Sequence, residues 1–219
     1  MNLITKLFSL NESIAGDFLI EYEFPWECLK DIGDYILRIA PFLSDDFSLV
    51  KEKVWIHKDA KVSPSSLIEG PTIICQGAEI RHCAYIRGNT IVGEKAVVGN
   101  STEVKNSILF NEVQVPHFNY VGDSILGYKA HFGAGVITSN VKSDKKNVKV
   151  RLEDGSVVAT DLRKFGALVG DFVEVGCNSV LNPGTIIGRN TNIYPLSCVR
   201  GYIKEDSICK RAGEVVKKV

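Results

Sequence analysis

A six-residue apolar repeat places the strongest constraint on what this chain can fold into. From Ile56 to Phe110 an apolar residue recurs at every sixth position, and a small residue such as Ala60 or Thr72 often comes two positions earlier. The members are Ile56, Val62, Ile68, Ile74, Ile80, Ile86, Val92, Val98, Val104 and Phe110. Neither the helical period of 3.6 nor the strand period of 2 alone produces a strict six with a small partner. Such an internal repeat predicts short flat strands that turn at fixed intervals, three to a coil.

The repeat changes register after Phe110. The next inward candidates are Val115, Val121, Leu126 and Phe132, at spacings of five or six. A slip in an otherwise regular repeat is typical of a bulge or loop, and such places often have a function. After an interruption, the ladder resumes with Val169, Val175, Leu181, Ile187, Ile193 and Val199.

The chain divides into an appendage at 1–53, a repeat region at 54–203 and a tail at 204–219. The apolar spacing from Trp26 to Leu43 predicts an amphipathic helix in the appendage. We expect this appendage to cover the first coil, where strand edges would otherwise be unpaired. The two repeat blocks hold 88 and 36 residues, which at 18 residues per coil predicts about seven coils.

A lysine-rich insertion at 142–167 separates the two repeat blocks. Alternating Val148, Val150 and Leu152 are followed by the turn residues Asp154 and Gly155. This pattern predicts a protruding β-hairpin.

Composition limits the classes of partner. Lysine plus arginine and aspartate plus glutamate each total 26, so the chain lacks the excess positive charge that binds nucleic acid. No stretch is apolar for long enough to span a membrane or to form a signal peptide. The six cysteines form no C-x-x-C pair, so we expect reduced thiols, no metal site and a cytoplasmic protein.

Four segments of the repeat region resemble the hexapeptide acyltransferases, whose fold is a left-handed parallel β-helix. They are Ala84–Arg87, Val98–Lys105, Pro116–Asp123 and Phe132–Asn140. The pattern H-x-x-Y-x-G-D followed by G-A-G-x-x-T-x-N is far more specific than the hexads. It resembles the acetyltransferase domain of bifunctional N-acetylglucosamine-1-phosphate uridyltransferase/glucosamine-1-phosphate acetyltransferase, and related sugar-1-phosphate nucleotidylyltransferases with a hairpin insertion.

The resemblance implies a fold and an activity. The fold is an all-β, left-handed parallel β-helix, assembled as a homotrimer with active sites between neighbouring prisms. The activity is acetyl-CoA-dependent N-acetylation of an amino-sugar 1-phosphate, either glucosamine- or galactosamine-1-phosphate, without a metal. Residues 1–50 contain no Gly-rich nucleotide loop, so we expect no nucleotidyl transfer from this chain.

The resemblance also assigns the chemistry to particular residues. His117 is the general base that takes a proton from the amine, because imidazole titrates near neutral pH. Asn140 orients the amine, and Tyr120 donates its hydroxyl to the sugar phosphate.

Four cations are the predicted phosphate ligands. Arg87 and Lys105 each follow an inward hexad position by one, so the repeat places them on one face as a single positive site. Lys146 and Lys149 match phosphate-binding lysines of the family.

The predicted acetyl-CoA groove is less regular. Gly133, Ala134 and Gly135 offer backbone N–H groups to the developing oxyanion. The family's groove is otherwise lined by small residues, whereas this chain has Cys177 in place of a serine and the bulky Tyr194. Arg211 is the predicted basic contact from the tail.

Two other functions are weighed against the enzyme. The altered groove leaves open a non-catalytic module that binds a sugar phosphate or nucleotide sugar, or regulates a separate nucleotidyltransferase. A carbonic anhydrase on the same fold needs three zinc-binding histidines, and its spacing is absent from the histidines of this chain, which are His57, His82, His117 and His131.

Overall fold

The computed structural model describes residues 2–211 and 214–218, with only the backbone of Arg211. It confirms the predicted fold class: a left-handed parallel β-helix with three flat faces, here called A, B and C. Face A contains, in spatial order, Phe47–Lys51, Val54–His57, Thr72–Ile74, Thr90–Val92, Ser107–Leu109, Ile125–Leu126, Ala167–Val169, Thr185–Ile187 and Tyr202–Ile203.

The other two faces follow in the same coils. Face B contains Lys61–Val62, Glu79–Ile80, Val97–Asn100, Gln114–His117, His131–Phe132, Glu174–Val175, Asn192–Ile193, Ser207–Arg211 and Glu214–Lys217. Face C contains Leu67–Glu69, Tyr85–Arg87, Glu103–Lys105, Tyr120–Gly122, Ile137–Thr138, Val180–Leu181 and Cys198–Val199.

The prism is longer than the sequence predicted. Over the described residues, faces A and B each hold nine strands, of which one terminal strand on each is antiparallel. About eight coils therefore replace the predicted seven. The tail contributes to the difference, because Ser207–Arg211 pairs in parallel with Asn192–Ile193 and then turns back into Glu214–Lys217.

The predicted register slip lies elsewhere. Strand pairing sets Leu109, not Phe110, beside Val92, so the slip occurs before Leu109. Parallel pairing continues across it without a bulge, which makes the predicted bulge or loop wrong. The Phe110 ring contacts Phe8 of the N-terminal segment at 5.3 Å between centroids, and this second apolar surface disguised the slip in the sequence.

A short corner causes the slip. Glu103 pairs with Tyr85, 18 residues earlier, and with Tyr120, 17 residues later. The corner that follows Lys105 has Asn106 alone, at φ +47°, where the preceding coil has two residues. Each coil after this corner is therefore one residue shorter, which shifts all later side chains by one position.

The N-terminal segment is made of short helices. The α-helices are Leu3–Leu7, Gly16–Ile20 and Ile32–Ile39, and the 3₁₀ helices are Leu10–Glu12, Pro25–Lys30 and Ala40–Phe42. The helix predicted from Trp26 to Leu43 is thus broken into three pieces. No helix among the described residues is long and apolar enough to cross a membrane.

This segment lies along face A instead of covering the first coil. Helix Ile32–Ile39 contacts the face A strands Thr72–Ile74 and Thr90–Val92, and the Leu7 carbonyl accepts a hydrogen bond from Asp171 N, several coils away. Beneath it runs a ladder of fully buried side chains that point outward from face A: Ile73, Ile91, Ile108, Ile125, Leu168 and Ile186. The segment packs here because this ladder buries far more apolar surface than the end of the prism offers.

The predicted hairpin is formed by Lys149–Arg151 and Val157–Ala159. One side of it is anchored to the prism, since Val148 and Val150 are almost fully buried. At its tip, Glu153 pairs with Lys6 of the first helix and, at 3.3 Å, with Lys204. The hairpin and the N-terminal segment therefore form one continuous layer on the prism.

Candidate active site

The predicted site residues lie on face C and at its two borders. The corner that precedes each face C strand is here called the B/C corner, and the one that follows it the C/A corner. His117 lies at the B/C corner, Tyr120 on the face, and Asn140 at the C/A corner. Because Tyr120 is separated from each by short segments of successive coils, the three side chains border one surface.

His117 ends the strand Gln114–His117 and is exposed. Its backbone is held by Asn119, a buried residue whose Oδ1 accepts from His117 N at 3.1 Å. The Asn119 amide nitrogen donates to Gly133 O at 2.8 Å, which fixes this corner to the next coil. No described residue bonds to the His117 imidazole, so the ring is available to an amine. The sequence reasoning missed Asn119.

Tyr120 joins the face to the C/A corner. Its hydroxyl accepts a hydrogen bond from Asn140 Nδ2 at 3.1 Å. The ring lies over Gly122, where an added Cβ would come within 2.5 Å of the tyrosine oxygen. Burial raises the pKa of Tyr120 above its ordinary value, so the phenol keeps its proton at neutral pH and can donate to an anion.

Asp123 is the center of the polar network and was missed by the sequence reasoning. Its carboxylate is almost fully buried and accepts from Asn140 Nδ2 at 2.5 Å and from Asn106 Nδ2 at 2.9 Å. It also pairs with Lys105 Nζ at 3.3 Å. Its position in the H-x-x-Y-x-G-D segment was the available signal. The short corners bring Asp123 beneath Lys105, since each coil there has 17 residues.

Arg87 and Lys105 occupy neighboring strands of face C, as the repeat predicted, because Val104 pairs with Ile86. Neither cation is uncompensated. Arg87 Nη1 donates to Glu103 Oε1 at 2.8 Å, and Lys105 pairs with Asp123. These two charges are therefore largely balanced before any phosphate binds.

The predicted groove residues line the B/C corner. Gly133–Gly135 form the corner next to His117, and Gly135 N donates to His117 O at 3.0 Å. Cys177 packs on the following coil, so close that a Cβ at Gly133 would lie 2.7 Å from its nitrogen. Tyr194 is exposed one coil further along. The side chain of Arg211 lies outside the described residues.

Lys146 and Lys149 belong to the insertion, and both are exposed. Lys149 lines a cleft of about 810 Å³ between the hairpin and the C/A corner of the last coils. Arg151 and Arg200, which the sequence reasoning did not single out, line the same cleft. Lys146 contacts Asp144 through its backbone nitrogen and does not line it.

A metal-binding arrangement is not found in the part of the chain that the structure describes. No group of three or more histidine, cysteine, aspartate or glutamate side chains there is placed to hold a metal ion. The chemistry available to the site therefore rests on an imidazole, an oriented amide, a neutral phenol and nearby cations.

Comparison with known families gives a consistent match over the coils. The family model described as GMPPB C-terminal domain matches residues 68–163. This stretch contains His117, Tyr120, Asp123 and Asn140, and also the hairpin.

Curated relatives extend the match. Bifunctional protein GlmU of Methanococcus vannielii is 36% identical over 197 residues, covering 89% of this chain and 47% of that protein. The bifunctional sugar-1-phosphate nucleotidylyltransferase/acetyltransferase of Sulfurisphaera tokodaii is 36% identical over 189 residues, covering 81% and 47%. Bifunctional protein GlmU of Methanocaldococcus jannaschii is 42% identical over 133 residues, covering 61% and 32%. The chain spans a third to about half the length of these relatives.

Proposed function

This chain is a relative of the bifunctional sugar-1-phosphate nucleotidylyltransferase/acetyltransferases, and we propose that it transfers the acetyl group of acetyl-CoA to the amine of an amino-sugar 1-phosphate. Glucosamine-1-phosphate and galactosamine-1-phosphate are the substrates to test. One observation carries the proposal: the exposed His117 imidazole lies at the corner next to Gly133–Gly135 and borders the Tyr120–Asn140–Asp123 network.

His117 acts as the general base in this proposal. The amine nitrogen attacks the thioester carbonyl carbon while the imidazole takes its proton. The carbon–sulfur bond then breaks, and the imidazolium returns the proton to the departing thiolate. Backbone N–H groups of Gly133–Gly135 face the same corner and are the candidates for stabilising the negative carbonyl oxygen.

Asn140 orients the amine. Its amide nitrogen donates to both Tyr120 and Asp123, which uses both of its hydrogens and leaves the amide oxygen as the acceptor for an N–H group of the substrate. Tyr120, kept neutral by burial, donates to the phosphate. Arg87, Lys105, Lys146 and Lys149 supply the positive charge.

We also propose a homotrimer. Face A is covered along its length by the N-terminal segment and the hairpin, which leaves faces B and C for contact with neighboring prisms. The exposed apolar residues Phe118 and Leu196 project from the B/C corner and favour such a contact.

The experiment is a thiol-release assay on the purified chain. Acetyl-CoA plus either amino-sugar 1-phosphate should release free CoA, and mass spectrometry should find the N-acetylated sugar phosphate. The parent sugar phosphates without the amine should release none. No release with any amino-sugar phosphate would overturn the proposal.

A non-catalytic module is the second candidate, and one observation favours it. Tyr194 and Leu196 place large exposed side chains along the corner that the coenzyme would occupy. Calorimetry separates the two candidates: the enzyme binds acetyl-CoA, whereas a module binds sugar phosphate and gives no heat with acetyl-CoA.

A further inference from the structure

The cleft between the hairpin and the last coils contains positive charge that the proposed reaction does not fully use. Lys149 and Arg151 alternate with the buried Val150, so both side chains leave the hairpin strand on the same side, and both line the cleft. Arg200 faces them from the C/A corner of the opposite wall.

These three cations have no acidic partner among the described residues. Arg151 Nη1 donates to the carbonyl of Gly155 and Arg200 Nη2 to the amide oxygen of Asn182, each at 3.3 Å. The acidic residue that lines the cleft, Asp144, pairs with Lys142 at 3.1 Å. The cleft therefore differs from the face C site, where Arg87 and Lys105 are already paired. Charge of one sign in a concave site concentrates anions.

The walls of the cleft are fixed in place. At Gly184, on the coil wall, an added Cβ would lie 2.7 Å from Val148 Cγ1 of the hairpin base. Gly184 also has φ +78°, a conformation that favours glycine. Because the hairpin base packs this tightly on the corner, the cleft exists before any ligand binds.

The cleft begins beside the amine site and extends beyond it. Ser139 and Val141, which flank Asn140, line its near end, and Arg200 lies at the far end. The Ser139 nitrogen bonds to Leu181 O, and Leu181 pairs with Val199, so two strand spacings of about 4.8 Å, or about 10 Å, separate Asn140 from the Arg200 corner. In a 2-amino sugar 1-phosphate, four bonds of about 1.5 Å place the phosphorus only about 5 Å from the amine.

We propose that the phosphate recognised by this chain belongs to a diphosphate, and that Arg151 and Arg200 hold the second phosphate group. The substrate class is then a nucleoside diphosphate-linked amino sugar. A cleft of about 810 Å³ is in the range that accommodates ligands of this size. Paired arginines suit the group because guanidinium binds phosphate oxygens in bidentate fashion. The inference rests on the proposed function for the amine site but uses different residues.

Binding is measured by calorimetry with four probes: glucosamine-1-phosphate, UDP-glucosamine, UDP-N-acetylglucosamine and inorganic pyrophosphate. The UDP sugars should bind at least about tenfold more tightly than glucosamine-1-phosphate, and Arg151→Gln and Arg200→Gln should each remove about tenfold of that affinity. Pyrophosphate alone tests whether the diphosphate, not the base, is recognised. Arg163→Gln is the matched control, an exposed arginine of the same insertion that does not line the cleft.

The outcomes separate this inference from the proposed function. Equal affinity for sugar phosphate and UDP sugars, or wild-type binding by both arginine variants, overturns the diphosphate site even if thiol is released. Arginine-dependent binding of UDP sugars without thiol release leaves the cleft standing and overturns the acetyltransferase. Binding of UDP sugars but not pyrophosphate, unchanged in Arg151→Gln and Arg200→Gln, assigns recognition to the nucleoside and also overturns the diphosphate site.

Discussion

Asn140 and Asp123, which follow successive strands of face C, are joined by a hydrogen bond of 2.5 Å from Asn140 Nδ2 to Asp123 Oδ2. The same amide nitrogen donates to the Tyr120 hydroxyl at 3.1 Å. A buried carboxylate thus sets which way the Asn140 amide faces. The residue proposed to position the substrate amine is itself positioned by one that sequence reasoning missed.

Replacing Asp123 with asparagine should therefore reduce turnover. The variant loses the charged acceptor for Asn140 and leaves Lys105 without its partner, and a lost buried hydrogen bond costs about 1–3 kcal/mol of stability. We expect kcat in the thiol-release assay to fall about tenfold or more, because 1.4 kcal/mol in the barrier corresponds to tenfold in rate. Asp144→Asn, an exposed aspartate of the insertion, is the control. Wild-type kcat in Asp123→Asn would show that the orientation of Asn140 is unimportant.

The layer on face A should be essential for stability. Trp26 is almost fully buried, stacks on Phe24 at 4.5 Å and contacts Phe165 at 6.0 Å between ring centroids. Trp26→Ala should cost about 3–5 kcal/mol in the free energy of unfolding, because it leaves a cavity between the segment and the prism. Urea denaturation measures this. The exposed Leu37→Ala should change little, and equal unfolding midpoints for the two variants would mean that the segment is not part of the folded core.

The sequence carried a signal for this layer that the hexad analysis did not use. The hexads report only the inward position of each strand. On face A the preceding residue is also apolar, as in Thr72-Ile73-Ile74 and Thr185-Ile186-Ile187, and these strands are buried on both sides. Strands buried on both faces have continuous apolar runs. A run recurring on every third strand indicates a covered face, which excludes an appendage that only caps the end.

The candidate site was predictable to the extent that the repeat fixes register. Stacking of Arg87 and Lys105 follows from counting residues. Their pairing with Glu103 and Asp123 does not, because it depends on the one-residue shortening at Asn106, and covered face A disguised that change. Arg200 is far from Arg151 in sequence, and only the way in which the hairpin folds back brings both to one cleft.

The contact between hairpin and first helix should depend on pH. The Lys6 ammonium beside Glu153 holds the pKa of that carboxyl below its ordinary value. The pair therefore stabilises the fold above the ordinary glutamate pKa of about 4.3, and this contribution is lost as the pH falls through the lowered value. Glu153→Gln should be less stable than wild type at pH 7 by up to about 1 kcal/mol.

Thermal unfolding at several pH values measures this difference. The gap between wild type and Glu153→Gln should close at acid pH, while Glu94→Gln, an exposed glutamate, should show none at either pH. A gap that persists unchanged well below pH 4.3 would mean that the loss is due to packing and not to charge.

The most direct test of the account is thiol release from acetyl-CoA by His117→Ala, with the preferred amino-sugar phosphate at saturation. Loss of a general base lowers the rate by about 10²–10⁴-fold. His82→Ala is the matched control, since His82 is exposed at the same B/C corner in an earlier coil. The account predicts that His117→Ala loses this activity while remaining folded and binding substrate, and that His82→Ala keeps it. Wild-type thiol release by His117→Ala would contradict the proposed role of His117 as the base.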